Sequence, residues 1–254
     1  MRNFITTVLL FTALNVYAQK KKILIISTNR DSVGTNASGT YLPEIAYPFQ
    51  YFTDNGYEID IVTSKGGKAA IYDRGNLADA LSKIKKSGLF ITKTSYTLSP
   101  LQVKPTEYIA VFYPGGHGQY FDVVHDERIA ALTTAIYEQG GVVGTAGHGV
   151  ASLIEVRLSN GQYLVKGKRI TCFPHWAELT WMNISNYGKL LAFDMEEVLR
   201  RRGAELVVST FETRSDPTLT LVVDKPNRIV TGSFAGSATW VAEQIIASLH
   251  TSKK

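Results

Sequence analysis

Val142-Val143-Gly144-Thr145-Ala146-Gly147-His148-Gly149 carries an apolar run straight into a tight glycine-rich turn. The pattern predicts a strand over 141–145 and a helix starting at His148 and running to Glu155. A strand-to-helix elbow of this kind holds its corner residue in a strained conformation and turns the next backbone N–H groups toward one point. An ordinary Gly-rich turn has the same pattern, so the octapeptide alone leaves both readings open.

The flanking sequence repeats the alternation. Upstream, Tyr108 to Tyr113 reads as a strand and ends in Pro114-Gly115-Gly116-His117-Gly118, a loop whose glycines allow backbone N–H groups to approach an anion. A helix is expected over 126–139. Near the start, Lys22-Ile23-Leu24-Ile25-Ile26-Ser27 is a continuous apolar run, as a parallel strand buried on both faces requires. It is followed by a helix over 41–55 that stops at Gly56, then by a strand over 58–63. Residues 75–106 read as a helical, loop-rich excursion expected to cover part of a pocket. Further strands are expected over 168–173, 206–210 and 219–223, and a closing amphipathic helix over 237–249. Strands alternating with helices specify an α/β fold, a doubly wound and mostly parallel sheet sandwiched by helices (flavodoxin-like). Ligands in such folds bind beyond the C-terminal ends of the strands.

The first residues predict an address rather than a fold element. Met1-Arg2-Asn3, the apolar run from Phe4 to Val16, and Val16-Tyr17-Ala18 fit a cleaved signal peptide over 1–18, leaving one domain over 19–254. The expectation is an exported protein, periplasmic or secreted, with no stable membrane span, because the run is shorter than the roughly 20 residues a bilayer needs. Removing 1–18 takes away Arg2 and no acid, so the formal charge goes from +5 to +4. The basic residues are dispersed, which argues against a nucleic-acid partner. Hydrophobic residues make up 44% and charged residues 19%, enough core and too little charge for disorder. Cys172 is the one cysteine, so an intrachain disulfide and any zinc site of paired cysteines are excluded.

Several segments, in order, resemble the ThiJ/PfpI superfamily, of class I glutamine amidotransferase-like fold, and most closely its heat-shock chaperone/glyoxalase III-like branch. They are Gly39-Thr40-Tyr41-Leu42-Pro43-Glu44-Ile45-Ala46-Tyr47-Pro48, Thr63-Ser64-Lys65-Gly66-Gly67-Lys68-Ala69, Tyr113 to Gly118, Gly167-Lys168-Arg169-Ile170-Thr171-Cys172-Phe173 with Glu178, and Ile229-Val230-Thr231-Gly232. The resemblance implies that Glu44 is the pocket acid, His148 the base and Glu178 the carboxylate orienting it. It also implies that Gly115, Gly116, Gly147 and His148 form the oxyanion and binding loop. It breaks at the elbow. The family pattern Ala-x-Cys-His-Gly becomes Thr145-Ala146-Gly147-His148-Gly149, so Gly147 stands where the nucleophilic cysteine is expected. Glycine forms no thiohemiacetal, and Cys172 reads as a small buried core residue.

The leading expectation is therefore a small-molecule pocket without thiol chemistry, in a binding or chaperone/stress-type protein. The alternative is a glyoxalase III-like enzyme (methylglyoxal to lactate), or a hydrolase or deglycase, using His148 and Glu178 without a thiol. A preserved His–Glu hydrogen bond favours the second. The expected ligand is a small carbonyl or carboxylate, with no cofactor; the family habit adds a homodimer. His117, His125 and His175 could approach a metal with Glu44, but no spacing matches a zinc motif, so no metal is expected. Gly66-Gly67-Lys68 lacks the full P-loop spacing. Trp176, Trp181 and Tyr187 are candidates for a substrate rim, with core packing the plainer reading.

Overall fold

The computed structural model describes residues 21–184 and 191–251. The expected signal peptide over 1–18 and Tyr187 lie outside them.

Six strands form one sheet: β1 (Lys22–Ile26), β2 (Glu58–Val62), β3 (Tyr108–Tyr113), β4 (Val142–Ala146), β5 (Leu221–Asp224) and β6 (Ile229–Gly232). Their spatial order is β5-β6-β4-β3-β1-β2. All neighbours run parallel except β5, which pairs antiparallel with β6 at one edge. The doubly wound, mostly parallel α/β fold is therefore present.

Strand β1 shows why its apolar run is unbroken. Leu24 and Ile26 enter the core on one face of the sheet, while Ile23 and Ile25 enter the core on the other. Alternation along a strand sends successive side chains to opposite faces, so burial on both sides leaves no polar position. Helices α1 (Leu42–Asp54), α2 (Asp79–Lys86), α3 (Gly88–Ser95) and α7 (Ala238–Thr251) cover the second face. Helices α4 (Glu127–Glu138) and α6 (Met195–Arg201) pack on the first, and α5 (His175–Ile184) precedes α6. Two starts are capped by aspartate, Asp126 accepting from the Arg128 N–H and Asp194 from the Glu197 N–H, which satisfies donors otherwise left without partners.

The structure corrects three expectations. After β4 the chain forms a 3-10 helix over Gly147–Leu153, not an α-helix over 148–155. Every residue of it is buried, and a Cβ at Gly149 would lie 2.2 Å from the Tyr113 carbonyl oxygen, so packing against the end of β3 dictates the tighter winding. The stretches 168–173 and 206–210 supply only a two-residue parallel ribbon apart from the main sheet, Arg169–Ile170 with Glu205–Leu206. On the side away from Glu205–Leu206, Asp224 accepts from the Arg169 N–H and Thr231 Oγ1 from the Thr171 N–H, so side chains take donors that could have joined a further strand. Cys172 lies beyond that ribbon and is fully buried. The excursion 75–106 packs α2 and α3 on α1, with Phe90 edge-on to Phe49 at 5.2 Å, and none of it lines the cavity described next.

Candidate functional site

Two loops meet beyond the ends of β3 and β4. The first, 114–118, is fastened by Gln119, whose Nε2 donates to the Pro114 carbonyl at 3.1 Å and whose Oε1 accepts from Ser152 Oγ at 2.9 Å. At Gly116 (φ +123°) a Cβ would come within 2.3 Å of the Gly39 carbonyl and 2.7 Å of the Tyr41 nitrogen. Only glycine lets this loop lie flat against the segment that opens α1. That contact carries Glu44, in the first turn of α1, into the elbow.

The elbow corner is Gly147, with φ +49° in the left-handed region. A Cβ built there would lie 2.3 Å from Glu44 Oε1, and a Cβ at Gly115 would meet the same oxygen at 2.3 Å. The Glu44 carboxyl thus fills the space a side chain at position 147 would claim. It is 3% exposed. Burial pushes its pKa up from 4.5 to about 7, against the opposing fields of His148 and Arg74 and the Gly115 N–H. That N–H faces the carboxyl, yet Oε1 itself lacks a hydrogen-bond partner of good geometry. A carboxyl so placed is a poised proton acceptor.

His148 follows the corner. Its Nε2 donates to Glu178 Oε2 at 2.6 Å, and Phe173 stacks on its ring at 4.3 Å and 29°. Glu178 lies in the first turn of α5. Its burial alone would raise its pKa, but His148 and His117 outweigh burial and hold the carboxylate well below its usual range. His117 Nε2 lies 3.6 Å from Glu178 Oε1, and the two imidazoles are 4.3 Å apart. Burial, and then the field of His148, lower the His117 pKa to about 4, so this ring is neutral near pH 7.

Glu44, Gly147 and His148 therefore converge on one cavity, with Glu178 behind His148. Gly115 and Gly116 sit behind it as well, one against Glu44 and the other against the 39–41 backbone. The cavity measures about 430 Å³ and is also bounded by Tyr41, Tyr72, Arg74, His117, Phe173, Arg214 and Phe234. Of the imidazoles weighed for a metal, only His117 comes here. His175 pairs with Asp194, and His125 lies in a separate cavity beside α4. The donor set that does assemble is His117, His148 and Glu178, whose ligating atoms lie within 4.8 Å of one another. The short His148–Glu178 hydrogen bond engages two of those atoms, so a metal would have to displace it. Trp176 donates to the Ser209 carbonyl and packs edge-on to Phe211, behind the cavity wall rather than on its rim. Arg74, Arg214, Phe173 and Phe234 were not singled out from sequence. No motif marks Arg74, Arg214 or Phe234, since each comes from a separate loop, and Phe173 appears only as the end of the Gly167–Phe173 segment.

The profile of the DJ-1/PfpI family matches residues 36–247. A glutathione-independent glyoxalase of Schizosaccharomyces pombe is 26% identical over 93% of this chain and 99% of its own length. Glyoxalase 3 of Candida albicans is 29% identical, covering 84% and 90%. Among solved structures, the 24 kDa rapid encystment protein of Francisella tularensis superposes with a TM-score of 0.78 at 29% identity, over 90% of this chain and 99% of that one. The crystal structure of glyoxalase III from Candida albicans, at 24% identity, superposes with a TM-score of 0.75 over 91% and 98%, a likeness of fold.

Proposed function

The chain belongs to the DJ-1/PfpI family, and from that premise we propose that it is a glutathione-independent, glyoxalase III-like enzyme that isomerises small oxoaldehydes by proton transfer, without a thiol. The observation that carries this reading is the Glu44 carboxyl lodged against Gly147, where the family resemblance expects cysteine. The names of the relatives support a catalytic reading over a purely binding one. So does the 2.6 Å His148–Glu178 hydrogen bond.

In this scheme water takes the place of the thiol. Water adds to the aldehyde carbon of methylglyoxal, forming a C–O bond and opening the C=O to a geminal diol. Ionised Glu44 takes the proton from that carbon, the electron pair forms a C=C bond, and the neighbouring ketone oxygen becomes an enolate. The protonated Glu44 exchanges its proton with solvent and then delivers one to the former ketone carbon, while one diol O–H proton passes to the enolate oxygen, so the diol carbon is left as a carboxylic acid and its neighbour as a secondary alcohol. Methylglyoxal plus water gives lactic acid: one carbon is oxidised, its neighbour reduced, and no outside oxidant is consumed. A base of pKa about 7 suits both halves of this exchange, being ionised enough to accept the proton and acidic enough to return it. His148, held by Glu178, serves the enolate oxygen.

The test is turnover of methylglyoxal by the purified protein in D2O, with the lactate examined by NMR. Lactate carrying solvent deuterium at its second carbon supports proton transfer through Glu44. No lactate, or lactate formed by hydride shift with hydrogen retained there, overturns the reading.

A further inference from the structure

The cavity is polarised along its depth. Its floor holds Glu44, 3% exposed, and His148, 8% exposed. Its mouth holds Arg74 and Arg214, both exposed. Arg74 lies 5.2 Å from the Tyr41 ring centroid, and its charge reaches both Glu44 and His117. Arg214 stacks 3.6 Å over Phe211 and donates to the carbonyl of that residue. Tyr41 and Phe211 hold the guanidinium planes in place, and the field of Arg214 also reaches the exposed carboxylate of Glu212. Among the described lining residues the only acid is Glu44, at the floor, so the mouth is a cationic rim over a reactive base.

Size sharpens the point. A cavity of about 430 Å³ falls in the range of roughly 300–1,000 Å³ typical of pockets for far larger ligands than a triose. An oxoaldehyde the size of methylglyoxal bound at Glu44 would leave much of the cavity, lined also by Arg74 and Arg214, unfilled.

We infer that the substrates of this enzyme are oxoaldehydes extended by a terminal carboxylate, the dicarbonyl end lying at Glu44 and His148 and the carboxylate held between Arg74 and Arg214. This rests on the proton-transfer reading above and adds the substrate class to it. Guanidinium–carboxylate contacts are charge-assisted and can be bidentate, so they favour an anionic tail over a methyl group. The reaction is the same with the longer chain: dioxopentanoate, which is methylglyoxal extended by CH2COO−, plus water gives hydroxyglutarate, with the proton moved between the two dicarbonyl carbons.

The experiment compares kcat/KM for dioxopentanoate and methylglyoxal in the wild-type chain, Arg74→Gln, Arg214→Gln and the double variant. Both side chains are exposed, so their loss leaves the core intact. The expected result is a preference for dioxopentanoate of about tenfold or more, carried by KM, weakened by added salt and brought close to parity in the double variant. Equal kcat/KM values in the wild type, or a preference that survives the double substitution, overturn the inference. Calorimetric titration with hydroxyglutarate separates this failure from that of the proposed activity. Were both oxoaldehydes inert, binding by the wild type that weakens about tenfold in the double variant would uphold the carboxylate site while removing the reaction. Equal binding by the two, or none, would remove the site.

Discussion

One buried and one half-buried carboxyl flank His148, and their surroundings drive them in opposite directions. Glu44 stands between Gly115 and Gly147 with Oε1 lacking a good hydrogen-bond donor, and burial raises its pKa to about 7. Glu178 is also largely buried, but two imidazoles face it and keep it ionised. What separates them is the partners, not the depth of burial. A carboxylate held by a side-chain donor at 2.6 Å is locked into orienting a ring, while one that meets only a backbone N–H, that of Gly115, is free to exchange a proton. Paired groups whose environments push their pKa values apart are the usual mark of divided acid–base roles.

The contrast yields measurements that can break it. The largest expected effect is on turnover: Glu44→Gln keeps the shape of the side chain but loses the base, and kcat/KM for methylglyoxal is expected to fall by about 10²–10⁴-fold at alkaline pH. Retained turnover would return Glu44 to a packing role.

Stability should move in opposite directions at the two positions. The folded pKa of Glu44 lies above its unfolded value of 4.5, so ionising it opposes folding. The penalty is absent below that unfolded value, grows as pH rises toward 7, and reaches about 3 kcal/mol above it. Glu44→Gln is therefore expected to be more stable than the wild type by up to that amount in alkaline denaturant melts, and to lose the gain in acid. Glu178, with its pKa depressed in the fold, contributes stability above its unfolded pKa that is lost as pH falls through the folded one. Glu178→Gln is expected to cost about 1–3 kcal/mol near neutrality. Two variants shifting in the same direction would refute the division.

Gly147→Ala tests the corner between them. Its Cβ would need the Glu44 carboxyl to move and would adopt φ +49°, costing on the order of 1–3 kcal/mol and reducing turnover with it. The smallest expected effect is none at all: iodoacetamide should leave activity unchanged, because Cys172 is fully buried and burial holds its thiol well above the usual pKa.

Much of this was legible in the residues. The unbroken run Lys22 to Ile26 could only be a strand buried on both faces, and Gly115, Gly116 and Gly147 marked the ends of two strands as the place to look. Glu44, His148 and Glu178 followed from segment resemblance, and their convergence is what tertiary structure adds. Other features depend on packing that no local pattern encodes. The 3-10 winding of 147–153 is imposed by the backbone of Tyr113. The ribbon at Arg169–Ile170 stays apart from the main sheet because Asp224 and Thr231, far along the chain, take the donors on its other side. His117 was weighed only as a metal ligand, since nothing in Gly116-His117-Gly118 reveals that the ring faces Glu178. Arg74 and Arg214 meet at one cavity mouth from loops with no shared motif. The glycine at 147 read as a loss; only the structure shows the carboxyl that occupies its space.

The central claim is that Glu44, in the space where the resemblance expects a thiol, is the base. The most direct test is the pH dependence of kcat/KM for methylglyoxal, followed as lactate formed, in the wild type beside Glu44→Gln. The account requires activity that rises with pH through a midpoint near 7 in the wild type and no such rise in the variant. A flat profile, or the same rise in both proteins, would contradict it.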